Sequence, residues 1–159
     1  MSNHNRFAPV ALLLATLIML VGWLSDRTGG DQLAAESYAA DPAVFMTRFD
    51  SMVAAHATGR NLDNTPVVRP PPGDVHMRVK RWEFSPALEL EPGKTYRLHL
   101  LSEDVVHSAA IGEAEVLLEP GMVKVVTLVV PGNGRVRIQC AEYCGLGHTK
   151  MIGSIEVIQ

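Results

Sequence analysis

Cys140-Ala-Glu-Tyr-Cys144-Gly-Leu-Gly-His148-Thr-Lys-Met151 packs two thiols, an imidazole and a thioether into twelve residues, and it contains both cysteines of the chain. Soft sulfur ligands beside an imidazole suit copper, whereas a calcium or magnesium cage would be built from oxygens. Apolar, strand-like segments flank the run, Arg135 to Gln139 before it and Ile152 to Ile158 after it. The ligands therefore sit on a loop between two strands, where a sheet can fix their geometry.

Spacing narrows the chemistry further. A mononuclear blue-copper site takes one Cys, two His and a weak axial Met. Here a second Cys follows the first by four residues. Two thiolates can bridge a pair of metal ions, each ion completed by one His and one weak ligand. The second His is offered by Asp104-Val-Val-His107, just beyond the run Thr95 to Ser102. Two plainer readings compete. A disulfide across so short a loop gains little from loop closure. Zinc could take Cys140, Cys144, His148 and His107 as four N/S ligands, but it leaves Met151 and the Gly-Leu-Gly spacer without a purpose.

Working outward, the last half of the chain alternates short apolar or β-branched runs with turn residues. The runs are Val75 to Phe84, Ala87 to Glu91, Thr95 to Ser102, Val105 to Ile111, Glu115 to Leu118, Val123 to Val130, Arg135 to Gln139 and Ile152 to Ile158. Ser85-Pro86, Pro92-Gly93, Glu119-Pro-Gly121 and Pro131-Gly-Asn-Gly134 punctuate them. Val75, Met77 and Val79 alternate with His76, Arg78 and Lys80, as a half-buried strand requires. Seven or eight short strands predict a mainly β fold, a two-sheet sandwich over 74–159.

Upstream, residues 26–73 read as a linker interrupted by one amphipathic helix. Asp41-Pro42 is a helix start, with Asp as N-cap and Pro in the first helical position. Val44, Phe45, Phe49, Met52, Val53 and His56 then fall on one stripe, and Gly59 is a stop, giving a helix over about 41–58. Met52 and His56 are expected to pack and not to bind metal. The stripe could dock on the β domain, on a partner subunit or on a membrane surface. Arg69-Pro-Pro-Pro-Gly73 predicts a stiff, extended spacer.

Residues 1–25 read as a membrane anchor. Phe7 to Leu24 is eighteen residues without a charge, with Arg6 before it, Asp26 and Arg27 after it, and Trp23 at an interfacial position. That length is short for a span and long for a signal peptide. Small residues suited to cleavage lie nine or more positions past the apolar run, too far for a cleavage site, so an uncleaved single-pass anchor is the expectation. Arg6 would keep the amino terminus in the cytoplasm and the β domain outside. The net charge is −3, with neither a basic face nor a nucleic-acid motif, so nucleic acid is excluded as a partner.

The pattern C-x-x-x-C-x-x-x-H-x-x-M with D-V-x-H upstream closely resembles the binuclear CuA domain of the cytochrome c oxidase subunit II family, in its single-membrane-span type. The resemblance covers Asp74 to Gln159 and implies a cupredoxin-like Greek-key β-sandwich. It implies that Cys140 and Cys144 bridge two copper ions, that His107 and His148 each bind one, and that Met151 and the Glu142 carbonyl make the weak outer contacts. The family takes electrons from cytochrome c and passes them to haem in subunit I of a haem-copper oxidase in the cell membrane, with the copper domain on the periplasmic side. This subunit carries electrons and does no oxygen chemistry itself.

By the same resemblance Trp82, in Arg81-Trp82-Glu83-Phe84, is the candidate electron-uptake residue, and the Glu142 carboxylate matches a group that binds magnesium at the subunit I boundary. Residues 98–123 carry Glu103, Asp104, Glu113, Glu115 and Glu119 without a Lys or Arg, an acidic run that could steer a basic cytochrome. The chain departs from the family in its Ser-Ala-Ala after His107 and in the helix from Asp41. A CuA subunit of a nitric oxide reductase is a sister reading, and a membrane-tethered copper carrier is the competing class.

Overall fold

The computed structural model describes residues 8–29 and 36–158, with side chains over 9–24 and 36–158. Two units make up the chain, Met1–Ala34 and Ala35–Gln159. The first contains helix α1 (Ala8–Gly29), built on a run of Ala, Leu and Met, all strong helix formers. Among the described residues no helix is long and apolar enough to cross a membrane. Arg6, Phe7 and the stretch 30–35, which bear on the expected anchor, lie outside the described residues.

The second unit is the expected sandwich, with more strands than the turn signals predict. Its five-stranded sheet has the order β1-β10-β7-β4-β5 and its seven-stranded sheet the order β2-β3-β6-β12-β11-β8-β9. The strands are β1 (Glu36–Ala39), β2 (Ala57–Leu62), β3 (Thr65–Val68), β4 (Gly73–Lys80), β5 (Glu83–Ser85), β6 (Ala87–Leu90), β7 (Thr95–Ser102), β8 (His107–Ile111), β9 (Ala114–Leu118), β10 (Met122–Val129), β11 (Arg135–Gln139) and β12 (Ile152–Val157). The chain crosses between sheets after β1, β3, β5, β6, β7, β9 and β10, so strands distant in sequence lie side by side. The expected run Val75 to Phe84 is split by a turn at Arg81–Trp82 into β4 and β5.

Between the sheets lies one apolar core. Val75, Met77 and Val79 of β4 meet Tyr96, Leu98 and Leu100 of β7, and Leu88, Leu90, Ile138 and Ile155 close it from the other sheet. Each such side chain contributes ~1.5–3 kcal/mol when taken fully out of water. Cys140, Cys144 and Met151 belong to this same cluster.

The stretch read as linker is instead largely folded. Asp63 and Asn64 both have positive φ, 49° and 65°, and make the tight turn of the β2–β3 hairpin. β3 pairs in parallel with β6. The buried Glu89 carboxylate of β6 then receives Arg60 from β2 and Arg69 from the proline-rich spacer, the latter at 2.6 Å. Of that spacer, Arg69 and the three prolines remain outside regular structure.

Helix α2 (Pro42–His56) forms where expected, with the Asp41 side chain accepting from the Ala43 amide at 2.8 Å. Its stripe docks on the outer face of the five-stranded sheet, where Phe45 and Phe49 bury against Leu101, Val123 and Val125. Met52 packs inward and its Sδ receives the His76 amide. Val44, counted on the stripe, is exposed. Below the helix the His76 ring stacks on His99, and Tyr38 of β1 reaches His99 Nδ1 at 2.9 Å.

Candidate metal centre

Strands β11 and β12 are antiparallel neighbours, with Gln139 opposite Ile152. The ligand run is the long loop joining them, closed at its base by the Cys140 amide donating to the Met151 carbonyl at 3.2 Å. A short 3₁₀ turn, His148–Lys150, brings the chain back to β12. Across the loop, His107 begins β8, the strand on the other side of β11. The sheet therefore juxtaposes a loop and a histidine separated by more than thirty residues.

Within that frame the five expected side chains converge. Cys140 Sγ and Cys144 Sγ are 3.8 Å apart. His107 Nδ1 lies 3.8 Å from Cys140 Sγ, and His148 Nδ1 lies 3.8 Å from Cys144 Sγ. Met151 Sδ approaches Cys144 Sγ at 3.7 Å, and the Cys140 thiol points at the Glu142 carbonyl at 3.2 Å. Among the described residues His107, Cys140 and Cys144 form a buried cluster able to hold a metal ion.

The donor set passes a simple test of fit. Disulfide sulfurs lie ~2.05 Å apart, so these cysteines are two free thiols. Two thiolates sharing an ion at ~2.3 Å each can be separated by at most about 4.6 Å, and 3.8 Å satisfies that limit. Burial pushes the Cys144 thiol up to about 11, with the adjacent Cys140 adding to the effect. A site that stays protonated without metal and must be a thiolate to bind it releases protons on loading.

Three residues named in the sequence without a supporting role turn out to brace the ligands. Asp104 accepts at Oδ1 from the far ring nitrogen of His107, Nε2, at 2.9 Å. Burial raises its carboxyl, but the amide of Arg81, His107 and the amide of Val105 together hold it below the ordinary carboxylate value. Ser108, fully buried beside His107, accepts the Ala141 amide at 2.9 Å and ties the ligand loop to β8. Gly147 lies under the Trp82 ring so closely that a Cβ would meet ring Cδ2 at 2.3 Å. The doublet Gly145-x-Gly147 carried that signal, since glycine inside a ligand loop marks a close approach.

Trp82 thus rests flat on the loop joining Cys144 to His148, and is 43% exposed on its other face. Val106, Tyr143 and Leu146 are exposed nearby, and Arg81, Val105, Val106, Tyr143, Cys144 and Gly145 line a shallow depression of about 340 Å³. The acidic run is less concentrated than its sequence suggests. Glu113 and Glu115 sit near the far end of the β8–β9 hairpin, roughly 10 Å or more from His107 at ~3.3 Å per residue. Asp104 is committed to His107 and Arg81, and Glu119 is 3.8 Å from Lys124. The Glu142 side chain is exposed and makes no ion pair among the described residues.

Residues 76–158 match the family described as "Cytochrome C oxidase subunit II, periplasmic domain". The chain belongs to that family. Two curated relatives, each a cytochrome c oxidase subunit 2 of Thermus thermophilus, are 35% identical over 72 residues, 44% of this chain. The matched region is 53% of one relative and 43% of the other, so the chain spans about half the length of the curated relatives it matches.

Solved structures speak for the fold. A chain of a heme-copper terminal oxidase dimer aligns over 97% of this chain and 99% of its own length, with 18% identity and a TM-score of 0.56. The periplasmic domain of subunit II from Bradyrhizobium japonicum covers 54% of this chain and 83% of its own at 17% identity, with a TM-score of 0.51. Rusticyanin from Thiobacillus ferrooxidans covers 78% and 98% at 16% identity and a TM-score of 0.53. The second unit is a cupredoxin-like sandwich, as expected.

Proposed function

We propose that this chain is the electron-uptake subunit of a haem-copper terminal oxidase, holding a binuclear CuA centre that takes electrons from cytochrome c and delivers them to haem in subunit I. The observation that carries the reading is the paired geometry of the ligands: two thiols 3.8 Å apart, each facing its own imidazole at 3.8 Å. Cys140 and Cys144 would hold the copper pair between them, His107 and His148 would each complete one ion, and Met151 and the Glu142 carbonyl would make the weaker contacts.

When bound, the copper pair supplies a one-electron store shared across both ions. The chain's own residues do the rest. His107, Cys140 and Met151 are wholly or almost wholly buried, so the ligands hold their positions and exclude water. These residues would complete the coordination without a substrate, which suits electron transfer and leaves oxygen reduction to the partner. Trp82 lies between the ligand loop and solvent, where a donor's haem edge would meet it. With the acidic residues dispersed or already paired, the apolar faces of Val106, Tyr143 and Leu146 form the larger part of the docking surface.

Helix α1 is the single-pass anchor in this reading, and the periplasmic family match supports a copper domain outside the cell membrane. The exposed Glu142 carboxylate is the group a magnesium ion at the subunit I boundary would use. A copper carrier would expose labile ligands, whereas His107 is buried here and Cys140, Cys144 and Met151 belong to the apolar core.

The test is metal content and an EPR spectrum of the full chain, loaded with copper and oxidised. Two coppers per chain sharing one unpaired electron is the expected result. One copper with an ordinary mononuclear spectrum, or retained zinc, would refute it.

A further inference from the structure

Asp104 is not a ligand, yet its contacts end on both working edges of the centre. Oδ1 meets His107 Nε2 at 2.9 Å, while the opposite ring nitrogen, Nδ1, faces Cys140 Sγ at 3.8 Å. Oδ2 accepts the Arg81 amide at 2.9 Å, with Arg81 Nε at 3.4 Å. The Val105 amide donates to Oδ1 at 2.7 Å. The His107 side chain is fully buried, so nothing but protein can orient its ring. Arg81 is followed directly by Trp82, whose ring lies on the Gly145–Gly147 segment of the ligand loop.

We propose that Asp104 is the positioning residue of the metal centre: it holds His107 in the tautomer protonated at Nε2, leaving Nδ1 for copper, and with the same carboxylate it anchors the segment that carries Trp82. The electron-uptake residue and a copper ligand are then fixed to one group and keep a constant separation. A carboxylate behind a metal-bound imidazole also makes that imidazole more electron-donating and favours the oxidised metal. Asp104 therefore sets the reduction potential as well as the geometry. The proposal rests on the copper reading above.

The experiment compares the copper-loaded full chain as wild type, Asp104→Ala and Asp104→Asn, measuring fold by circular dichroism, copper affinity, EPR spectrum and reduction potential. Asp104→Ala is expected to keep the fold, to bind copper roughly 10- to 100-fold more weakly and to show a higher potential. Asp104→Asn keeps a carbonyl acceptor for His107 Nε2 but loses the charge, so it should recover most of the affinity while retaining the raised potential. In the metal-free chain, nitrogen chemical shifts of His107 should report a single tautomer in wild type and a mixture in Asp104→Ala.

A role confined to the turn would lower stability without moving the potential. A folded Asp104→Ala protein with wild-type affinity and potential overturns the proposal. Should that variant not fold, a wild-type potential in Asp104→Asn overturns it equally. A wild-type chain that never forms the two-copper spectrum sinks the copper reading itself and takes this proposal with it.

Discussion

Gly147→Ala isolates the contact between Trp82 and the ligand loop. Gly147 has φ −92° and ψ 4°, a backbone that alanine adopts without strain, so only the added methyl matters. That methyl would lie 2.3 Å from Trp82 Cδ2 and 2.6 Å from both Cε3 and Cγ. Carbon atoms rest comfortably ~3.5–4.0 Å apart, so the ring must retreat by more than about 1 Å. Because Cγ is the ring's root, swinging the outer edge brings no relief, and the whole side chain or the loop has to move. Overpacking of this kind costs about 1–3 kcal/mol.

Trp82 is half open to solvent while the loop is anchored by Cys144, His148 and the core, so the tryptophan is the part that gives way. The expected outcome is a small fall in melting temperature, an unchanged copper spectrum and altered Trp82 emission, read in a Trp23→Phe background. Stopped-flow reduction by cytochrome c should slow, while reduction by a small diffusible reductant keeps its rate. Unchanged emission together with unchanged rates for both reductants would refute the placement of the ring and its part in uptake.

Cys144→Ser removes one bridging sulfur and should abolish the two-copper EPR spectrum, leaving at most a mononuclear centre; an unaltered spectrum would mean that Cys144 does not bridge. Met151→Leu replaces a buried side chain by one of similar volume, at a cost below ~1.5 kcal/mol. It should keep both coppers and shift the potential, because a weak axial ligand tunes a copper site; complete copper loss would count against that role. Acid should weaken the layer beneath α2. Burial, then His99 and Arg48, hold His76 below its ordinary 6.5. The unfolded chain therefore binds a proton near pH 6.5 that the folded chain resists, so stability falls as pH drops below 6.5. Asp74, held below 3.8 chiefly by its hydrogen bond to His99, extends the loss at lower pH. His76→Phe should flatten the melting temperature between pH 6.5 and 5; an identical slope in both proteins would rule His76 out as the cause.

The metal loop was legible because its chemistry is local. Cys140, Cys144, His148 and Met151 lie in one run, and the strands on either side announce themselves by β-branched residues. His107 needed only one long-range step. The hairpin β2–β3 was lost because Arg60, Asn61, Asp63 and Asn64 read as polar linker, although Asp-Asn is itself a tight-turn signal; its strands are held by tertiary contacts that no local pattern records. β1 escaped for the same reason, being four residues on a sheet edge. The outward-facing Val44 shows that an apolar stripe gives a helix its face but not the width of the sheet beneath it. The supporting roles of Asp104 and Ser108 were hidden because such a group is defined by what it touches, and Arg81 and Ala141 reach them from distant parts of the chain.

The base of the metal loop is latched by the Cys140–Met151 backbone hydrogen bond, at the end of a strand pair that is itself part of the core. Of the side chains around an ion seated above that latch, only the half-buried His148 could be shed by turning outward, whereas His107, Cys140, Cys144 and Met151 are buried. Release requires the hairpin to fray, and fraying there means local unfolding of central strands, which lie at the rare end of a protein's opening events. The lifetime of the bound metal is then governed by how often β11 and β12 part, and it should track hydrogen-exchange protection of those strands more closely than it tracks the strength of any single metal bond.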